Sequence, residues 1–306
     1  MADARVREAR SLPQTAAQKP VPPLRPEYLR DVVADGDIGV AQQPLTLWQR
    51  LANQSWLRKL TILVVIAVAW EAYARALNNP LLVPTFSATV EALAAGFASG
   101  ELPQKVANSV ILLLKGYGIG LGLAMVLTAL AMMSRIGNDL LETLTSGFNP
   151  LPAIALLPLA LIWFGLGDIS IIFVLVHSVL WAVALNTHSG FRSVSTTLRM
   201  VGRNYGLKGP RFIAKILIPA AFPSILTGLK IGWAFAWRTL IAAELVFGVS
   251  SGKGGLGWYI YENKNMLDIP AVFAGLLTVI LIGLIVENLI FRNIEAMTVR
   301  RWGMQS

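Results

Sequence analysis

The segment IPAVFAGLLTVILIGLIVENLIF, Ile269 to Phe291, decides the fold class because it carries no charged side chain before Glu287. A helix needs about 20 predominantly apolar residues to cross a bilayer. The strands of a membrane barrel would be shorter and would alternate polar with apolar residues, which this segment does not do. The segment therefore predicts a membrane-spanning α-helix.

Five more apolar segments of similar character precede it along the chain. They are Leu60 to Leu77, Lys105 to Met133, Leu140 to Phe164, Ile169 to Thr187 and Ile216 to Phe247. The composition agrees, since 55% of the residues are hydrophobic and only 14% are charged, against about a quarter charged in soluble domains. We predict an all-α membrane protein of about six transmembrane helices, occupying residues 46–306.

Three prolines interrupt the third of these predicted spans: Pro150, Pro152 and Pro158. Broken helices that line a pathway are common in transporters. A kink that the bundle tolerates is the alternative, and the sequence leaves both open.

Positive charge is distributed unequally between the two ends of the predicted bundle. Nineteen Lys and Arg residues fall in the segment through Lys59, the loop after the second span, the 190–215 loop and the C-terminal tail. The opposite end holds three: Lys105, Lys253 and Lys264. Because cytoplasmic loops carry the excess of Lys and Arg, both termini are predicted to be cytoplasmic. This topology explains the net charge of +9 without a nucleic-acid partner.

The first 45 residues are polar and rich in proline. They lack the apolar content needed to form a core. Residues 1–45 are therefore expected to form a disordered or loosely docked cytoplasmic tail.

The predicted cytoplasmic loop over residues 190–218 holds six basic residues and no acidic one. Leu198, Val201 and Tyr205 recur at helical spacing, and Gly206 is placed to end that helix. A helix, a glycine break and a second helical segment would form a knob that projects into the cytoplasm. A solvated basic loop and an amphipathic helix on the membrane surface are the alternatives.

This loop resembles the coupling loop of ABC importer permeases, whose pattern is Glu-Ala-Ala, three residues, Gly, nine residues and Ile-x-Leu-Pro. With Gly206 as the glycine, the closing positions fall on Ile216, Ile218 and Pro219. The opening triplet departs from the pattern and reads Met200, Val201 and Gly202.

Four further segments carry ordered motifs. They are NPLPAIALLPLALIWFGLGD (149–168), LNTHSGFRSV (185–194), IPAAFPSILTGLKIGWAFAWRTLIAAEL (218–245) and GGLGWYI (254–260). Together they resemble the nitrate/sulfonate/taurine-type branch of these permeases, from Leu60 to Trp302. The resemblance implies the type I ABC importer permease fold.

The resemblance also implies a division of labour in which this chain is a permease in the bacterial inner membrane and not an enzyme. A separate cytoplasmic ABC ATPase dimer would bind ATP and Mg and dock on the coupling loop. A periplasmic or lipid-anchored binding protein would deliver a small anion such as nitrate, a sulfonate, taurine or an aromatic carboxylate. Two permeases would enclose the pathway, as a homodimer or as a pair with a related chain. The implied coupling residues are Leu198, Met200, Val201, Gly202, Tyr205, Gly206, Leu207 and Pro219.

Glycine motifs in the chain do not indicate a nucleotide site. GKGGLG, Gly252 to Gly257, fits G-x-G-x-x-G, but no strand precedes it, so an external turn is the prediction. No G-x-x-x-x-G-K-[ST] segment occurs in the sequence. In GYGIGLG, the pairs Gly116 with Gly120 and Gly118 with Gly122 are predicted to allow close helix packing.

Ionisable residues within spans are costly and usually face an interior. Arg238 and Glu244 lie six residues apart in the fifth span, which turns them about 120° from each other, so we expect them to have separate partners. Arg238 is expected to face the central pathway and attract the anionic substrate, with a structural ion pair or interfacial snorkelling as alternatives. Glu244, Trp237 and Asn186 complete the candidate pathway residues.

No metal or catalytic site is expected from the remaining residues. The chain has no cysteine and two histidines, His177 and His188, and His177 is predicted to be a hydrogen-bonded core residue. A secondary transporter remains the alternative function, although it would need buried coupling carboxylates and commonly an inverted repeat.

Overall fold

The computed structural model describes residues 54–247 and 254–301, which form helices and connecting loops and no strand. Contacts divide the chain into residues 1–59, of which 54–59 are described, and residues 60–306, which form the helical bundle. The helices are α1 (Ser55–Leu77), α2 (Phe86–Ala98), α3 (Glu101–Met133), α4 (Arg135–Phe148), α5 (Leu157–Phe164), α6 (Asp168–Ser193), α7 (Thr196–Asn204), α8 (Gly209–Phe212), α9 (Ile218–Phe247), α10 (Leu256–Asn265), α11 (Ile269–Ile285) and α12 (Arg292–Glu295).

Among the described residues, five helices are long and apolar enough to cross a membrane, and the bent pair α4–α5 makes a sixth crossing if the two are counted as one span. Two of the five contain π-helical turns: Ile213–Leu217 joins α8 to α9, and Val286–Phe291 joins α11 to α12. The all-α membrane fold predicted from the sequence is confirmed. The predicted tail over residues 1–45 lies outside the described residues.

The bundle is built around α6, which packs against α3 on one side and α9 on the other. Two glycines of α3 make its close approach to α6 possible. A Cβ on Gly116 would lie 2.6 Å from Leu175 Cβ, and one on Gly120 would lie 2.8 Å from Val179 Cβ. The predicted packing role of this first glycine pair is therefore confirmed, whereas Gly118 and Gly122 face open space in this chain.

The third predicted span is broken rather than kinked. α4 and α5 meet at an angle of 88°, with a 3₁₀ turn at Ala153–Leu156 between them. Pro150 and Pro152 lie in the break and supply no backbone N–H, so a continuous hydrogen-bond ladder cannot form there. The two helices have 14 and 8 residues, about 21 Å and 12 Å, so neither crosses a 30 Å hydrocarbon core alone.

Two helices that the apolar pattern does not predict lie outside the crossing segments. α2 precedes α3, and α10 packs between α3, α9 and α11. Lys105 of α3 and Glu262 of α10 form an ion pair at 3.6 Å. Tyr259 of α10 is 4% exposed, and its burial raises the pKa of the phenol to about 12.

Candidate functional site

The knob predicted in the basic loop is formed by α7. Its first turn is capped by Ser195 Oγ, which accepts a hydrogen bond from Leu198 N. At the other end Gly206 has φ = +72°. Gly206 N donates to Arg203 O and Leu207 N donates to Gly202 O, at 2.9 and 3.1 Å, which is the Schellman pattern of helix termination. The prediction that Gly206 ends this helix is confirmed.

Part of the outward surface of the knob is apolar although the loop around it is basic. Leu198, Met200, Val201 and Tyr205 are all exposed, and Tyr205 is 82% accessible. Leu198, Val201 and Tyr205 lie along one side of the helix. Exposed apolar side chains grouped in this way indicate a surface that another protein covers.

The inward surface of the knob is close-packed. Gly202 is buried, and a Cβ at this position would lie 2.8 Å from the Phe212 ring and 2.9 Å from Ile216 Cγ1. The glycine in place of the pattern's second alanine is thus matched to bulky neighbours on α8 and the π turn. Leu207, which directly follows Gly206, is half-buried. Pro219 is the second residue of α9, which begins immediately after the π turn.

Arg199 fixes the knob to the end of α6, a role that the sequence reasoning missed. Its guanidinium donates to Phe191 O and, at 3.2 Å, to Val194 O. These carbonyls belong to the last turn of α6 and the residue after it, where a cation is also favoured by the helix dipole. The only sequence signal is an arginine a few residues beyond an apolar helix, which is too common to be diagnostic.

A cavity of about 270 Å³ that is open on one side lies between α6, α9 and the break that joins α4 to α5. Its walls are Asn149, Pro150, Leu151, Pro152, Ala153, Ile154, His177, Ser178, Trp181, Phe235, Arg238 and Thr239. Of the four residues predicted to line a pathway, Arg238 alone reaches this cavity. Its Nε donates to Ala234 O at 3.1 Å and its Cζ lies 5.4 Å from the Phe235 ring centroid.

Two residues of α6 in the wall of this cavity have side-chain nitrogens without a hydrogen-bond partner. They are the indole Nε1 of Trp181 and the ring nitrogens of His177, all of them buried. The prediction that His177 is a hydrogen-bonded core residue is therefore wrong. The reason is local, because the neighbours of its ring are aromatic: Phe148 and Trp181 have ring centroids 6.3 and 6.1 Å away.

The other three predicted pathway residues are engaged in packing within the chain. Trp237 is buried and its indole donates to Val279 O at 3.3 Å. Asn186 donates to Ala182 O at 2.7 Å and packs where Gly228 lets α9 approach α6.

Glu244 is a buried acidic residue whose carboxyl oxygens are hydrogen-bonded to two other helices. It is 3% exposed. Its carboxylate accepts from Ser109 Oγ at 2.8 Å and from Gly257 N at 2.8 Å, while Leu256 N donates to Ser109 Oγ at 2.7 Å. As predicted, Glu244 and Arg238 have separate partners. Part of the GKGGLG motif, Gly254 to Gly257, is thereby explained: a Cβ on Gly255 would overlap the carboxylate and the serine hydroxyl.

The long apolar helices of the described residues define a multi-pass membrane protein. An open cavity between these helices and a capped helical knob in one loop are compatible with a transport protein. Residues 116–297 match the model of the binding-protein-dependent transport system inner membrane component family, and the chain belongs to this family. The family consists of transport permease subunits and not of catalytic enzymes. No group of residues suited to hold a metal ion occurs in 54–247 and 254–301.

Similar proteins are permeases of the predicted branch. A protein assigned as an ABC transporter permease in Methanocaldococcus jannaschii is 33% identical over 234 residues, 75% of this chain and 86% of its own. The taurine transport system permease protein of Escherichia coli is 29% identical over 248 residues, 78% and 86% of the two chains. The nitrate import permease protein of Synechocystis is 31% identical over 173 residues, 56% and 59%. The chain is thus an ABC permease of the nitrate/sulfonate/taurine branch, as predicted.

Proposed function

We propose that two copies of this chain form the pathway of an ATP-driven importer in the bacterial inner membrane, with α7 docked on a separate cytoplasmic ABC ATPase dimer that holds ATP and Mg. Family membership supports the importer role. The observation that carries the docking assignment is the exposed apolar surface of α7, Leu198, Val201 and Tyr205, on a fixed base. Such a surface on a basic cytoplasmic loop is best explained by a partner that covers it.

The base of the knob explains how movement of the ATPase would reach the membrane. Arg199 joins α7 to the end of α6, and Gly202 packs α7 against Phe212 and Ile216 at the start of the fifth crossing helix. α6 and α9 are the helices that line the cavity. A displacement of α7 would therefore act on both walls of the cavity at once.

The substrate and the remaining partners follow from the branch. Two of the relatives are named as a taurine and a nitrate permease, which supports a small anion as substrate. A periplasmic or lipid-anchored binding protein would deliver it. Arg238, at the cavity wall, is the cation we assign to its pathway. The excess of Lys and Arg in the segments flanking α7 and at both chain ends supports cytoplasmic termini.

The decisive experiment substitutes the glycine that ends the knob. A β-branched residue is strained at φ = +72°, whereas asparagine tolerates the left-handed region. We expect Gly206→Val to lower ATP-driven uptake about tenfold or more, because strain of a few kcal/mol at the end of α7 displaces the docking surface. Gly206→Asn should retain most of the uptake. The measurement is uptake by proteoliposomes that hold the permease, its ATPase and its binding protein.

Assembly must be followed in the same samples. Co-purification of the ATPase with a tagged permease and the yield of inserted protein report whether the variant is folded. Full uptake by Gly206→Val with intact assembly would refute the coupling role of α7. Uptake by the wild-type permease alone, without ATPase and ATP, would refute the importer assignment and favour a secondary transporter.

A further inference from the structure

The cavity between α6, α9 and the α4–α5 break combines one cation with two unpartnered donors. We propose that it is a binding site for a small organic acid, whose anionic group is held by Arg238, His177 and Trp181 while its apolar body lies against the prolines of the break. This inference rests on the proposed function and extends it, because the imported anion would have a binding site within the permease itself.

The polar groups of the cavity are suited to an acceptor-rich ligand. Trp181 is 8% exposed, and its indole N–H can only donate. A neutral His177 offers one donor, and Arg238 offers its remaining guanidinium N–H groups. No carboxylate is among the residues that line the cavity, and no ion pair of the described chain involves Arg238. An anion would satisfy these donors together, and donors to charged acceptors make the stronger hydrogen bonds.

The remaining walls select an organic anion over a strongly hydrated inorganic one. Most of the lining is apolar and comes from Pro150 to Ile154, Phe235 and the Trp181 ring, one face of which is stacked on Phe148 with centroids 5.4 Å apart. The volume of about 270 Å³ is below the range of roughly 300–1,000 Å³ of sites for drug-sized ligands. A compact carboxylate or sulfonate with a short or planar apolar body fits these limits.

The position of the cavity along the helices agrees with a site on the pathway. His177 lies nine residues into α6 and Arg238 nine residues before the end of α9. Both are therefore about 14 Å from the same end of the bundle, near the middle of a 30 Å hydrocarbon core. Irregular backbone at that depth, such as Asn149 to Ile154, is tolerated where it is buried in protein or lines a cavity.

The test observes the indole N–H of Trp181 directly. Full-length permease with ¹⁵N-labelled tryptophan in phosphatidylcholine nanodiscs gives up to nine indole resonances, and Trp181→Phe and Trp237→Phe identify two of them. The probes are sodium benzenesulfonate and sodium nitrate, against sodium chloride at equal ionic strength. We expect benzenesulfonate to shift the Trp181 resonance in a saturable manner. The Trp237 resonance is the internal control and should not move, because its N–H already donates to Val279 O.

Two variants assign the anion-binding role to particular side chains. Arg238→Gln should raise the half-saturating benzenesulfonate concentration about tenfold, since it removes the charge and leaves a shorter polar side chain. His177→Phe should raise it by a smaller factor. Nitrate should saturate the shift only at about tenfold higher concentration than benzenesulfonate, because it gains nothing from the apolar wall.

Each contrary result overturns the proposal. A Trp181 resonance that is unmoved by benzenesulfonate at tens of millimolar would mean that water alone occupies the cavity. Equal half-saturation by nitrate would refute the organic-acid class, and a shift produced by phosphatidylglycerol nanodiscs without added probe would assign the site to a lipid headgroup. Binding is measured without the ATPase, so a failure here leaves the coupling role of α7 standing, and a failure of coupling leaves this site standing.

Discussion

Glu244 and Arg238 lie six residues apart on α9 and have opposite surroundings. The Glu244 carboxylate is enclosed by donors from two other helices, Ser109 of α3 and Gly257 of α10. Arg238 borders a cavity whose wall includes His177 and Trp181, and the side-chain nitrogens of both have no hydrogen-bond partner. We call the Glu244 site closed, because its carboxylate has partners on other helices, and the Arg238 site open, because donors beside it have none. The two sites are less than two turns apart on one helix.

The contrast separates two uses of a polar group inside a membrane protein. A buried group that is fully hydrogen-bonded ties helices together, and its loss leaves the partners unsatisfied. Donors that lack a partner in an otherwise close-packed bundle are costly unless a ligand or water completes them. We therefore expect the Glu244 site to govern stability and the Arg238 site to govern binding.

Glu244→Ala should have the largest effect on stability. It leaves Ser109 Oγ and Gly257 N without their acceptor and opens a void between α3, α9 and α10. The combined loss is about 3 kcal/mol or more. It can be measured as a lower midpoint of thermal unfolding of the purified permease in detergent, together with a lower yield of inserted protein.

Arg238→Ala is the matched control for this variant because it removes a charge from the same helix. Arg238 is exposed in the chain and makes one hydrogen bond to a backbone carbonyl of its own helix. The unfolding midpoint of the Arg238→Ala variant should stay close to that of the wild type. Equal losses in the two variants would break the distinction between a closed and an open site.

Gly257→Ala tests the same closed site by adding atoms. Alanine favours a helix over glycine by about 1 kcal/mol, and Gly257 lies in the first turn of α10. Here, however, the added Cβ would lie 2.6 Å from both Ile241 O and Glu244 Cβ. We expect a net destabilisation of about 1–3 kcal/mol, typical of overpacking.

Gly118→Ala gives the opposite sign in the same thermal assay. Gly118 is also helical, but a Cβ there meets open space. The midpoint should be unchanged or higher. If Gly257→Ala instead raises the unfolding midpoint, α10 can move away from Glu244. The packing around Glu244 would then be less tight than the distances in the structure indicate.

The features predicted correctly from the sequence are those that depend on neighbours along the chain. The apolar spans follow from runs of residues, and Gly206 follows from its place after a short helical pattern. The break between α4 and α5 was one of two alternatives because Pro150 and Pro152 are compatible with a kink or a sharp turn. The 88° angle depends on packing against α6, which no local pattern encodes.

The features that escaped prediction join residues far apart in sequence. Ser109 and Glu244 are 135 residues apart, and neither has a local signal for the other. The sequence predicts hydrogen bonds for His177 because most buried polar groups have them. Its ring instead lies beside the aromatic rings of Phe148 and Trp181, which come together only in the folded bundle. The sequence does not distinguish Arg199 from the other five basic residues of the loop, although its guanidinium donates to carbonyls at the end of α6.

The smallest predicted effect compares two tryptophans that differ in one hydrogen bond. Trp181 and Trp237 are both buried, at 8% and 6% exposure. The indole of Trp237 donates to Val279 O, whereas that of Trp181 has no partner. Phenylalanine removes the N–H and a similar volume at each site, so the difference between the two variants isolates the hydrogen bond. Trp237→Phe should be less stable than Trp181→Phe by about 1 kcal/mol.

The measurement is the thermal unfolding midpoint of each variant without added anion, and then with benzenesulfonate. Without the anion, Trp181→Phe should lie close to the wild type, because the lost volume borders an existing cavity and the lost donor was unsatisfied. With the anion, the wild type and Trp237→Phe should be stabilised by ligand binding, and Trp181→Phe should gain less. If Trp181→Phe instead loses as much stability as Trp237→Phe before any anion is added, its N–H is already bonded in the folded protein, and the cavity is a closed polar site like that of Glu244.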